Sequence, residues 1–175
     1  MNQRIKFSTL TEKSIVGSVK QLSYIVIFIV LFRLYVLDVM VVKQASMFPT
    51  LSPNDKVAIL KPAYLFNNPA RGDIVVVKAG KNTGYTKRVV GLPNETIEIK
   101  NNCVYIDGLA LDEPYLPPKL AYPDFGAARI PDGCYFVMGD NRTESIDSRD
   151  KAFGFVEKKN VTSRVCLRVS TMTPL

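Results

Sequence analysis

Hydrophobic and polar positions divide the chain into two regimes. Residues 22–32 read LSYIVIFIVLF without a charge, and a window over residues 15–32 places Ile, Val, Phe and Leu on every side of a helix. A surface helix would confine them to one stripe, so the pattern predicts a membrane-crossing helix. Eighteen residues at about 1.5 Å each span roughly 27 Å, slightly less than a hydrocarbon core of about 30 Å. Lys20 and Arg33 flank the run and can extend their charged heads to the interfaces. Beyond it the pattern shortens to β-rich runs separated by Gly, Pro and Asn. Strands are predicted at 38–42, 56–59, 74–78, 86–90, 96–100, 103–106, 135–138 and 164–169. Lys100-Asn101-Asn102-Cys103 joins two of them as a tight hairpin turn, because asparagine tolerates positive φ. Residues 111–129 carry Pro114, Pro117, Pro118 and Pro123, which bar a regular helix or a central strand and predict an extended surface excursion. The expected fold is mostly β, an antiparallel sheet domain on a single N-terminal transmembrane helix. Its expected parts are an N-terminal segment at 1–20, an anchor at 21–37 and a β-rich domain at 38–175.

Charge orients the anchor. Arg4, Lys6, Lys13 and Lys20 precede the span, whereas Arg33 and Lys43 follow closely. That imbalance puts the N-terminus in the cytoplasm and the β-rich domain outside, across the inner or plasma membrane. Cleavage after Ala45 would leave Lys43 where a signal-peptide site needs a small residue, so the anchor is expected to be permanent. A hydrophobic content of 47% with 22% charged residues excludes a disordered chain. The net charge of +7 is spread over single residues and pairs such as Lys87-Arg88 and Lys158-Lys159. With no basic helical stripe and no aromatic platform, nucleic-acid binding is excluded. Anionic lipid headgroups or simply solvated lysines account for the excess. Cys103, Cys134 and Cys166 show no zinc-ligand spacing and are expected as small buried hydrophobes, with one disulfide and one free thiol as the alternative; no metal and no cofactor is expected.

The candidate chemistry is shaped by what is missing. The chain contains no histidine, so a serine nucleophile needs another base. Ser46 follows the strand-like 39–42 run, and Pro49 holds Phe48 extended. That arrangement presents the Ser46 hydroxyl and backbone N–H at one place, as acyl transfer requires. Lys87 lies in a strand-like run beside Val89 and Val90, where desolvation can lower an amine's pKa from about 10.4 by about 3 to 5 units. Taken singly, residues 46–50 also read as an ordinary turn and Lys87 as a solvated strand lysine.

Four blocks in order change the weight of those residues. They are Ser46-Met47-Phe48-Pro49-Thr50-Leu51, Arg71-Gly72-Asp73-Ile74-Val75, Tyr85-Thr86-Lys87-Arg88-Val89-Val90-Gly91-Leu92-Pro93, and Met138-Gly139-Asp140-Asn141-Arg142 with Ser145, Asp147, Ser148 and Arg149. Together with the preceding apolar segment they resemble bacterial type I signal peptidases, serine–lysine dyad enzymes. The resemblance implies a mostly antiparallel β-domain docked on the membrane surface through an apolar face. It implies Ser46 as nucleophile, Lys87 as general base and Ser145 as the hydroxyl that orients the lysine. Asp147 and Arg149 would form a bracing ion pair, and Tyr85 would flank the lysine on a substrate-binding strand. Met47 and Phe48 would line the substrate site, and Gln44, two before the nucleophile, would offer its amide as the second oxyanion donor. Glu144 stands where the family usually has asparagine and would raise the lysine's pKa unless it faces solvent. Four residues separate Arg149 from Gly154 where two are usual.

The implied activity is hydrolysis of N-terminal signal peptides from exported preproteins. The implied partners are those peptides, membrane lipid and the export machinery, with the chain acting as a monomer. A silent relative that binds signal peptides, or a specialised peptidase of a conjugation or pilus system, are the alternatives.

Overall fold

The computed structural model describes residues 2–79, 83–118, 120–169 and 173–174, and their side chains except at 2–14, 79, 83 and 173. The side chains of Arg4, Lys6 and Lys13, used above to orient the anchor, therefore lie outside the described set, as does Lys119 of the proline-rich excursion. The chain divides into two compact units, Met1–Leu37 and Asp38–Leu175.

The first unit is one helix, α1 (Asn2–Tyr35), longer at its N-terminal end than the predicted window. Its segment Ile15–Tyr35 has a mean hydropathy of 2.1, none of it buried within the protein, and is long and apolar enough to cross a membrane.

The second unit is built of strands. An eight-stranded sheet contains β1 (Leu37–Val41), β2 (Lys56–Leu60), β3 (Ile74–Ala79) and β4 (Thr83–Gly91), which join strands from later in the chain. A four-stranded sheet contains β5 (Thr96–Lys100), β6 (Cys103–Ile106), β7 (Leu109–Ala110) and β8 (Phe125–Arg129) in the order β7-β6-β5-β8. The chain then returns to the larger sheet with β9 (Cys134–Met138), β10 (Val156–Glu157), β11 (Val161–Arg168) and β12 (Thr173–Pro174). The larger sheet runs β1-β2-β11-β3-β4-β9-β10, with β12 beside β11.

Side-chain alternation explains the layering. Ile97 and Ile99 of β5 and Val104 and Ile106 of β6 point into one apolar cluster with Val90, Ile130, Phe136 and Met138. The turn between β5 and β6 has positive φ at both Asn101 (51°) and Asn102 (61°), as a two-residue hairpin needs. On β3, Ile74 and Val76 enter a cluster with Met47, Leu51 and Val57. Val75 and Val77 enter another with Tyr64, Val89 and Tyr135. A strand covered on both faces reads as a continuous apolar run, and residues 74–77 do.

Three expectations are corrected. Part of the proline-rich excursion forms β8, an edge strand beside β5; the prolines lie upstream of it. The last long strand starts at Val161 and lies between β2 and β3. Its first residues, Val161, Thr162 and Ser163, alternate buried and half-buried and so carry little apolar signal. The cysteines are free but only partly buried. The two-residue strands β7, β10 and β12 are too short to leave a period in the sequence.

Candidate active site

Ser46 sits on a single 3-10 turn, Ala45–Met47, that follows β1. Apolar packing fastens the turn from below, because Met47 and Leu51 are fully buried in the cluster against β3. Met47 is thus a core residue here and does not line the site. Polar contacts fasten the turn from the side. The Asn141 N–H donates to the Ser46 carbonyl at 3.0 Å, and the Asn141 Nδ2 donates to the Ala45 carbonyl at 3.3 Å. Phe48 is extended (φ −66°, ψ 139°) before a cis Pro49, and its side chain is exposed.

Lys87 is carried on β4 opposite Val75 of β3 and is 1% exposed. Its Nζ donates to Ser145 Oγ at 2.9 Å and lies 5.9 Å from the centre of the Tyr85 ring. Ser46, Lys87, Tyr85, Gln44, Glu144 and Ile146 share a cavity of about 270 Å³. A groove of about 330 Å³ adjoins it, lined by Met40 to Gln44 on one side and Gly84 to Thr86 on the other. The fold therefore brings Ser46, Lys87, Ser145, Tyr85 and Gln44 together from three sequence-distant segments.

The electrostatics suit an amine base. Burial is the largest influence on Lys87 and pushes its pKa down from 10.5 to about 8. Asp147 and Asp140 pull it upward, while Arg149 pushes it down. These carboxylates do not reverse the effect of burial, because their guanidinium partners limit them. Burial alone would raise the Asp147 pKa. Arg149, the Gly139 N–H and the Ser145 hydroxyl outweigh it and hold the carboxyl below its usual range. Arg149 pairs with both Asp147 oxygens, at 2.8 Å and 2.9 Å. Glu144 is exposed and accepts from Asn141 Nδ2 at 3.2 Å; it is absent from the charges that act on Lys87.

A second buried pair ties the blocks together. Arg88 grips Asp140 through two hydrogen bonds of 2.9 Å and 2.7 Å. The same Asp140 accepts from Thr50 Oγ1 at 2.5 Å, and Arg88 donates to the Gly72 carbonyl at 2.9 Å. Each of the four sequence blocks supplies one of these groups. Next to them Gly139 leaves no room for a side chain, since a Cβ there would collide with the Ser46 carbonyl and the Ser145 hydroxyl.

Some residues around the site are not evident in the sequence. Phe153, in the loop after Arg149, sets its ring edge-on to Tyr85 with centres 5.6 Å apart. Asp150 closes that loop by accepting from the Ala152 and Gly154 N–H groups. Glu113 and Tyr122 of the proline-rich excursion contact Arg142. Their segment has no hydrophobic period, so only the three-dimensional structure reveals them.

The chain is similar to known proteins over most of its length. A family model described as "Signal peptidase, peptidase S26" matches residues 15–170. Signal peptidase I of Bacillus licheniformis is 35% identical over 164 residues, 88% of each chain. Signal peptidase I S of Bacillus subtilis (strain 168) is 38% identical over 160 residues, 86% of each chain. Signal peptidase I of Bacillus caldolyticus is 41% identical over 149 residues, 78% of this chain and 81% of that one. A crystal structure of a signal peptidase I from Enterococcus faecalis V583 is 34% identical and covers 54% of this chain and 94% of its own, with a TM-score of 0.48. The chain belongs to the signal peptidase family, peptidase S26, and is an enzyme of that family.

Proposed function

We propose that this chain is a membrane-anchored serine endopeptidase that removes N-terminal signal peptides from exported preproteins, with Ser46 as nucleophile and Lys87 as general base. The observation that carries the proposal is the burial of Lys87 in the cavity that also holds Ser46, with its amine hydrogen-bonded to Ser145. An amine with a pKa of about 8 is partly neutral near pH 7, whereas a solvated lysine is almost entirely charged.

Neutral Lys87 takes the Ser46 proton as Oγ attacks the scissile carbonyl, forming a tetrahedral intermediate. The Ser46 N–H and the Gln44 carboxamide donate to the oxyanion. The Lys87 ammonium then gives its proton to the leaving amine of the mature protein. Lys87 next takes a proton from water, whose oxygen attacks the acyl-enzyme, and Ser46 regains its proton as the signal peptide leaves. Ser145 keeps the amine aimed, and the Asp147–Arg149 pair holds Ser145 in place. The substrate lies extended in the groove between residues 40–44 and β4, paired through its main chain, with small side chains facing the narrow cavity. Phe48 and Tyr85 border that path.

The segment Ile15–Tyr35 anchors the enzyme in the inner or plasma membrane, with its N-terminus in the cytoplasm and its β-unit on the far side among lipid headgroups. It acts there as a monomer beside the export machinery.

Cleavage of a preprotein by the detergent-solubilised full chain tests the assignment. Ser46→Ala and Lys87→Ala should each lower kcat by roughly a thousandfold or more, with peptide binding kept in Lys87→Ala. Equal product from wild type and Ser46→Ala sinks the dyad. Tight signal-peptide binding without turnover by the wild type favours a silent binding role instead.

A further inference from the structure

The loop of residues 139–149 carries most of the groups that hold the nucleophile turn and the base, and it contains two arginines. Arg149 finds its counter-ion inside the loop, in Asp147. Arg142, whose side chain is 0% exposed, pairs with Glu113, 29 residues upstream in the proline-rich excursion. The Glu113 side chain is itself only 8% exposed and grips the guanidinium with both oxygens, at 2.5 Å and 3.1 Å. Arg142 also donates from Nε to the Gly139 carbonyl at 3.1 Å and from Nη1 to the Tyr122 hydroxyl at 3.2 Å.

We propose that Glu113 is a positioning residue for the peptidase reaction, acting through Arg142 on the Gly139 turn that spaces Ser46 from Ser145; this rests on the Ser46–Lys87 reading above. The linkage is short. Arg142 holds the Gly139 carbonyl, while Asp147 holds the Gly139 N–H at 3.0 Å. Gly139 packs directly against the Ser46 carbonyl and the Ser145 hydroxyl. Two residues further on, Asn141 donates to that same Ser46 carbonyl. On the other side, Arg149 Nη1 donates to the Arg142 carbonyl at 2.7 Å, so both ends of the loop converge on Arg142. Glu113 also accepts from the Tyr115 hydroxyl at 2.5 Å, and the Tyr115 ring lies 3.9 Å beneath the Arg88 guanidinium. One carboxylate thus braces two of the buried cations behind the site while lining neither the groove nor the catalytic cavity. Losing it leaves a buried guanidinium without its carboxylate partner, the circumstance in which a buried pair is most costly to break.

The test is Glu113→Gln, which keeps the shape and removes the charge, in the full chain with a preprotein substrate. The expected result is a fall in kcat of about tenfold with KM within about twofold, because transition-state alignment is lost and the groove is untouched. Glu113→Asp, which keeps the charge but draws it back, should fall between Gln and wild type. Ser46→Ala, run in parallel, should be inactive. If Glu113→Gln keeps wild-type kcat, or changes KM alone, the positioning role is wrong while the dyad stands. If Ser46→Ala still cleaves, the dyad itself is wrong and this role falls with it. If Glu113→Gln gives no folded protein at 25 °C, the residue serves the fold as a whole and the proposal fails.

Discussion

Within β4 two neighbouring pairs of residues are buried by opposite means. Val89 and Val90 enter apolar clusters with Tyr135 and Val137 on one face and Ile97 and Phe136 on the other. Lys87 and Arg88, immediately before them, are almost as inaccessible, at 1% and 7% exposure, yet both are basic. The valines are stabilised by loss of water from methyl groups, which depends little on direction. The basic pair is tolerated only because specific oxygens meet it, Ser145 for the amine and Asp140 with Gly72 for the guanidinium. The apolar half therefore bears small changes of shape, whereas the charged half depends on each partner.

The largest effect should come from breaking that dependence. Arg88→Ala strands a buried carboxylate, Asp140, and should cost about 3–5 kcal/mol. Ile97→Val in the apolar cluster should cost only about 0.5–1.5 kcal/mol. Denaturant unfolding of the solubilised chain, followed by near-ultraviolet circular dichroism of its tyrosines, measures both. Equal losses would erase the contrast.

Next comes Lys87, which destabilises the fold that needs it. Its folded pKa of about 8 lies below the ordinary 10.5, so between those values the unfolded chain binds more protons and stability rises with pH. Below about pH 8 the full penalty applies, roughly 3 kcal/mol at about 1.4 kcal/mol per pKa unit. Lys87→Met should remove it, raising the unfolding midpoint at pH 7 and flattening the dependence between pH 8 and 10.5. In the wild type, kcat/KM should climb with pH along an acidic limb centred near 8. A flat profile across that range, or a less stable Lys87→Met, would contradict the assignment.

The smallest effect should come from Glu144→Asn. The carboxylate is exposed and engaged with Asn141, so water screens it from the amine. Removing it should move the acidic limb by about 0.3 units or less. A larger downward shift would show that Glu144 turns inward during turnover.

The same division governs what the sequence reveals. The apolar helix, the Asn101–Asn102 hairpin and the doubly covered β3 are legible because hydrophobic burial leaves a period and turns demand particular residues. Ser46 and Lys87 stand out in the sequence because the absence of histidine narrows the choice of base and the ordered blocks resemble a family, and the fold brings the two into one cavity. The chain's own pattern hides the counter-ions: nothing local marks Glu113 as the partner of Arg142, and Phe153 sits in an irregular loop with no period. Met47 misleads for the opposite reason, since its place beside Ser46 suggests contact with substrate while the turn directs it into the core. Side-chain direction on a single turn depends on what the turn packs against, and β3 supplies that only after folding.

Two glycines carry this contrast into the chain's freedom to vary. At Gly91 an added methyl would meet the Ile130 side-chain tip first, which can rotate aside at moderate cost. At Gly139 it would meet the Ser46 carbonyl, which is backbone and cannot turn away without moving Ser46 itself. Substitutions at position 91 can thus be rescued by later changes in neighbouring side chains. Position 139 has no such second route, so descendants of this enzyme can drift in their apolar interior while a single hydrogen atom at residue 139 stays mandatory for as long as they cleave.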